Sequence, residues 1–181
     1  MTSGVAPDPA SDVASAIQDL DALAAALQQR CLAKGLTLAV AESCTGGLVA
    51  HAITRQPGAS GYFLGGVVSY SNEVKVASLD VPANVLEQHG AVSAQVAIAM
   101  ATGVRSRLGA AIGAGVTGVA GPDGGTDAKP VGLVYVAVAD ADGSEVRRFL
   151  WTGDRIANIT LSAAAVLELL DARTAGATGD P

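Results

Sequence analysis

Short apolar runs alternate along this chain with segments whose apolar residues recur every three or four positions, and that alternation restricts the fold more than any other feature. The runs Leu36 to Ala41, Phe63 to Tyr70, Ile112 to Thr117, Gly132 to Ala139 and Glu145 to Trp151 read as strands. Helical spacing marks Val13 to Cys31, Gly46 to Arg55, Asn72 to Leu79, Ser93 to Leu108 and Arg155 to Leu170, with Ser93 capping the helix it opens. Strands separated by helices need crossover connections, which favour parallel pairing. The last two runs, joined by Asp140-Ala141-Asp142-Gly143, read instead as an antiparallel hairpin. The prediction is an α/β fold with a mixed, mostly parallel sheet of about five strands. Such sheets bind ligands beyond the carboxyl ends of their strands.

With 181 residues, 50% of them hydrophobic, the chain can bury one sizeable core. A single domain is expected over residues 12–171, between loose polar tails at 1–11 and 172–181. No apolar run approaches the ~20 residues that span a bilayer. The acidic, Pro-containing start lacks the pattern of a signal peptide, so a cytoplasmic protein with no membrane partner is expected. A net charge of −6 and an aromatic content of 3% argue against nucleic-acid binding. Cys31 and Cys44 make no disulfide framework, and two histidines offer no zinc constellation. Neither a metal nor a cofactor is expected. The Gly- and Ala-rich, apolar composition would permit a homo-oligomer, which is also expected.

Three strand ends carry unusual residues, and in a parallel sheet those ends share one rim. After the first strand comes Glu42-Ser43-Cys44-Thr45-Gly46-Gly47, a strand-to-helix turn with unpaired N–H groups nearby. An isolated hydroxyl there is most often a helix cap. After the second strand comes Ser69-Tyr70-Ser71-Asn72-Glu73-Val74-Lys75, where Ser71 or Asn72 caps a helix that displays Lys75 in its first turn. A cation at that place works against the helix dipole, so helical propensity does not account for it. A serine is a poor nucleophile unless a base takes its proton, and a desolvated lysine can be that base. Tyr70 can relay the proton or orient the nucleophile, and the turn amides near Cys44 and Thr45 can stabilise an oxyanion. Together these would make a Ser43/Tyr70/Lys75 acyl-transfer site, where the segment taken alone reads as a solvated lysine beside a capping motif.

The third strand end, Gly113-Ala114-Gly115-Val116-Thr117-Gly118, matches the dinucleotide pattern G-x-G-x-x-G, with Asp140 at the customary distance. The match fails because Val119 to Gly125 breaks any helix and the glycines begin inside the strand. The segment reads as a small-residue strand leading to a mobile Gly-Pro loop, whose glycines allow a ligand or another chain close to the backbone. Among weaker candidates, Cys44 is an apolar turn cysteine without an adjacent histidine, and His89 belongs to a helix end. Arg155 opens the last helix and can clamp a phosphate or sit in an ion pair with Asp154.

Six motifs stand in order: Ala41 to Gly47, Gly65 to Lys75, His89 to Ser93, Thr117 to Gly125, Lys129 to Gly132, and Gly153-Asp154-Arg155. Together they closely resemble the CinA C-terminal domain family, which contains nicotinamide-nucleotide amidases. The resemblance covers about Leu20 to Leu170 and implies a three-layer α/β/α sandwich. It also implies hydrolysis of the carboxamide of nicotinamide mononucleotide to nicotinate mononucleotide and ammonia in pyridine nucleotide salvage, without metal or redox cofactor. Within the matching motifs Ser43 looks like the nucleophile, Lys75 its base and Tyr70 an assisting hydroxyl. Thr45 and Gly46, Thr117 and Gly118, and the loop with Gly121 and Gly124 would contact the nucleotide, and Arg155 its phosphate. Two departures stand out. Many members carry a further N-terminal domain, whereas this chain starts just before the amidase-like region. Many also bear a second arginine shortly after Gly-Asp-Arg, where this chain has Asn158-Ile159-Thr160. That second departure motivates one alternative, a catalytically silent nucleotide- or partner-binding module; a separate one is an amidase for another small amide that uses the same nucleophile.

Overall fold

The computed structural model describes residues 9–176. Its sheet comprises β1 (Leu38–Glu42), β2 (Phe63–Val68), β3 (Ile112–Gly118), β4 (Leu133–Asp140) and β5 (Gly143–Leu150), in the order β2-β1-β3-β4-β5. β1 pairs in parallel with β2 and β3, and the β3–β4 and β4–β5 pairs are antiparallel. Only β4 therefore runs against the other strands, as the alternation and the final hairpin predict. The helices are α1 (Pro9–Lys34), α2 (Leu48–Thr54), α3 (Asn72–Leu79), α4 (Ala83–His89), α5 (Ala94–Leu108) and α6 (Arg155–Gly176). Residues 9–11 and 172–176, expected in the tails, continue α1 and α6. The remainder of both expected tails lies outside the described residues. Among the described residues no helix is long and apolar enough to cross a membrane.

Alternate strand residues face opposite sides, and the two sides are built from different sizes of side chain. One face presents Leu38, Val40, Ile112, Val116, Val134, Val136 and Val138 to α1, α2 and α6. The other presents Ala39, Ala41, Ala137 and Ala139 to α3, α4 and α5. Helices on both faces make the three-layer sandwich. On the small-residue face α5 lies backbone against backbone on β3. A Cβ at Gly113 would stand 2.2 Å from the Ala101 carbonyl oxygen, and one at Gly115 would stand 2.4 Å from that of Ala97. The chain that approaches these glycines closely is thus helix α5. Asp140 completes the case against a dinucleotide fingerprint: it ends the reversed strand β4, beside the start of β3, and pairs with Arg173 at 2.5 Å.

Helix α4 has no counterpart among the predicted helices, although its end at His89 was expected. It is one short stretch with Leu86 as its buried apolar residue and Pro82, which offers no side-chain cap, before it.

Candidate active site

Every residue of β1 is buried, and the strand delivers Ser43 to the rim. The Ser43 N–H donates to the Val116 carbonyl at 3.0 Å, which extends the β1–β3 pairing one residue past the strand. The chain then turns through Gly46 and Gly47, at φ 63° and 105°, a backbone region that disfavours any side chain. Helix α2 starts immediately afterwards. Its first donors are not free. The buried Glu42 carboxylate accepts the N–H groups of Gly47 at 3.0 Å, Val49 at 3.1 Å and Ala50 at 2.8 Å. Sequence reasoning left this helix start open to an outside anion, and the structure corrects that. The signal was present as an acidic residue ending an apolar strand just before a helix. Glu42 takes neither the Cys44 nor the Thr45 amide.

Ser71 caps α3 by accepting from the Val74 N–H at 3.3 Å, and Lys75 points from that first turn into the protein with 1% of its surface exposed. Its Nζ lies 3.1 Å from Ser43 Oγ, 2.7 Å from the Ser69 carbonyl and 3.5 Å from the Tyr70 carbonyl. A neutral amine has two protons and one lone pair. The two carbonyls can take only protons, which leaves the lone pair for the Ser43 hydroxyl. Burial pushes the Lys75 ammonium below its ordinary value of 10.5, opposed by Cys44 and by exposed Glu73. Burial also pushes the Cys44 thiol up to about 12, so at neutral pH it is uncharged and gives Lys75 no counter-ion. The same shift makes Cys44 unreactive as a nucleophile.

Tyr70 is 62% exposed, and its hydroxyl accepts from Arg155 Nη2 at 3.1 Å. Its carbonyl, not its hydroxyl, meets Lys75. Arg155 also donates from Nη1 to the Gly121 carbonyl at 2.7 Å, so one guanidinium joins the β2 rim to the Gly-Pro loop. The loop has a second tie that sequence reasoning missed. Buried Asn158 donates to the Ala120 carbonyl at 3.0 Å and accepts from the Gly153 N–H at 3.1 Å. The Ala120 partner is distant in sequence, so no local pattern announces the tie. Asp154 caps α6 by accepting from the Ala157 N–H at 2.8 Å instead of pairing with Arg155. Arg155 also lines a cavity of about 620 Å³ with otherwise mostly apolar walls, among them Ala120, Pro122, Val131 and Ile156.

The remaining candidates divide. The Thr45 hydroxyl is buried and has no hydrogen-bond partner among the described residues. Gly46 is exposed beside it. Thr117 is buried, and its hydroxyl donates to the Ala91 carbonyl at 2.9 Å, tying the α4–α5 connection to the rim. Gly118 is paired with Val134 at the end of β3, and Gly124 is exposed at the loop tip. Among the described residues no three His, Cys, Asp or Glu side chains cluster as metal ligands.

The geometry has close counterparts. A protein from Agrobacterium tumefaciens described as competence/damage inducible protein CihA superposes with a TM-score of 0.83 at 37% identity, over 85% of this chain and 94% of that one. The competence damage-inducible protein A of Klebsiella pneumoniae gives a TM-score of 0.84 at 34% identity, over 87% and 98%. A putative competence-damage inducible protein of Moorella thermoacetica is 59% identical over 68% of this chain, and a CinA-like protein of Desulfotalea psychrophila is 49% identical over 84%. The chain spans 30% and 37% of the lengths of those two relatives. The CinA C-terminal domain pattern matches residues 20–174, a stretch that contains the whole sheet and both Ser43 and Lys75. The chain belongs to the CinA C-terminal domain family.

Proposed function

We propose that this protein is an amidase that hydrolyses the carboxamide of nicotinamide mononucleotide to nicotinate mononucleotide and ammonia. The observation that carries the reading is the buried contact of 3.1 Å between Lys75 Nζ and Ser43 Oγ. Neutral Lys75 takes the hydroxyl proton as Ser43 Oγ attacks the carboxamide carbon. The oxygen that becomes negative lies toward the turn amides that Glu42 does not take. Collapse breaks the C–N bond, and the proton held on Lys75 leaves with ammonia. Water then attacks the Ser43 ester, again with Lys75 as base, and frees the carboxylate. Arg155 holds the phosphate, exchanging its bond to Tyr70 for a stronger charge-assisted one. Tyr70 is thereby released to orient the nucleotide.

The test is ammonia release, with mass spectrometry of the nucleotide. Ser43→Ala and Lys75→Ala are expected to abolish turnover while leaving the fold intact. Wild-type rates in Ser43→Ala would remove the covalent mechanism. Hydrolysis of phosphate-free amides at equal efficiency would remove the nucleotide as substrate.

A further inference from the structure

We propose that Glu42 is the positioning residue that fixes Ser43 against Lys75, through its main chain on one side and its side chain on the other. The proposal rests on the amidase reading above. Glu42 is 1% exposed and has two sets of partners. Its carboxylate gathers the Gly47, Val49 and Ala50 amides, which clamps the α2 end of the turn containing Ser43. Its carbonyl accepts the Ser69 N–H at 2.7 Å, and the Ser69 carbonyl in turn accepts from Lys75 Nζ at 2.7 Å. Nucleophile and base therefore hang from one residue.

The charge at this position has a specific use. A buried carboxylate without partners is strongly disfavoured, but three N–H donors at a helix start satisfy both oxygens. Oε2 takes two amides and Oε1 the third, so no lone acceptor of the Gln type reproduces the set. In Glu42→Gln the volume is kept, yet one side-chain NH₂ must face an N–H. The turn relaxes away from that conflict, and Ser43 moves relative to Lys75. A carboxylate already seated there also denies the α2 start to a substrate phosphate, which directs that group toward Arg155.

The experiment compares wild type, Glu42→Gln and Glu42→Asp, each assayed well below its melting temperature. It reads kcat and KM for ammonia release together with the Lys75 titration by NMR of ¹³Cε-labelled lysine. A displacement of about 1 Å costs on the order of 100-fold in rate, so kcat is expected to fall ~100-fold with KM within about threefold. The Lys75 titration is expected to move upward as water reaches the loosened amine. Should Glu42→Gln not fold, Glu42→Asp carries both measurements, since its shorter arm keeps the charge and loses the three-amide grip. An unchanged kcat with an unmoved Lys75 titration would overturn the proposal. So would a fall in kcat that matches the unfolded fraction while Lys75 titrates as in wild type. If wild type releases no ammonia from any amide, the amidase reading fails, and the Lys75 titration in Glu42→Asp, which keeps the charge, decides alone: an upward shift supports the positioning role, and none or a downward one removes it.

Discussion

Lys75 is a buried amine, and its burial sets the pH range in which it works. Two carbonyls and a hydroxyl take its hydrogen bonds and no carboxylate among the described residues touches it, so burial outweighs what favours its charge. As a base it acts in the neutral form, so kcat/KM is expected to rise with pH through a limb lying below 10.5, the ordinary value from which burial lowers it. A limb at or above that value would contradict the base assignment. Lys75→Arg is expected to be inactive, because guanidinium does not give up its proton. Arg155 makes a separate case. A hydrogen bond to a charged group contributes about 1.5–3 kcal/mol, so Arg155→Ala is expected to raise KM for the phosphorylated amide ~10- to 100-fold. A phosphate-free amide should show no such rise, which steady-state kinetics on the two substrates would establish. Ser43 and Lys75 were both legible in the sequence, since each breaks a local rule: a small polar turn after an apolar strand, and a cation in a helix's first turn. Glu42 was missed although its signal was local, an acidic residue just before a helix start whose amides were left to an outside anion, and Asn158 was missed because the Ala120 carbonyl it meets is distant in sequence.

At the scale of the elements, the glycines of β3 and α5 are packing residues. The G-x-G pattern that imitates a nucleotide loop is the seat of α5 on the sheet, and Gly103 repeats the device between α5 and α3. A Cβ at Gly103 would meet the Leu79 carbonyl oxygen at 1.9 Å. Ala exceeds Gly in a helix interior by about 1 kcal/mol, whereas overpacking costs about 1–3 kcal/mol and more when the obstacle is backbone. Gly103→Ala is therefore expected to lower the melting temperature despite its better propensity, and calorimetry showing a gain would refute the contact. β1, β3 and β4 were legible as buried apolar runs and the five helical patterns as apolar residues at helical spacing, whereas β2 and β5 hold no fully buried residue and were read from their composition and flanking turns. Helix α4 was not, because it contributes one buried side chain, Leu86, and so shows no apolar period, whereas α2, of the same length, buries Val49, Ala52 and Ile53. The ends of α1 and α6 lay beyond the expected boundaries, since Arg30 and Asp171 pair at 2.7 Å and Lys34 reaches the Thr174 carbonyl at 2.8 Å, contacts between helices that periodicity does not contain.

Across the whole molecule, the two rims of the sheet treat charge in opposite ways. At the site rim, Lys75 has its folded value depressed below 10.5, so the unfolded chain holds the proton more tightly. Stability from this group is complete above 10.5 and is lost as pH falls from there toward the folded value. Lys75→Met is therefore expected to raise the melting temperature at neutral pH, with the gain vanishing near pH 10.5. At the far rim, Arg173 holds the Asp140 carboxyl below its usual 3.8. That contribution is present above about pH 4 and is lost below it, so Arg173→Ala should lower the melting temperature only in the upper window. Thermal scans at several pH values separate the two. Between those rims runs the contact of α5 on β3, where the α5 backbone and the Cβ atoms of Met100 and Arg105 close on Gly113 and Gly115. With β1 and β4 paired to its edges and α5 on its face, β3 is expected to exchange its amides for deuterium only when the entire sandwich opens, so that their rate reads the global unfolding free energy.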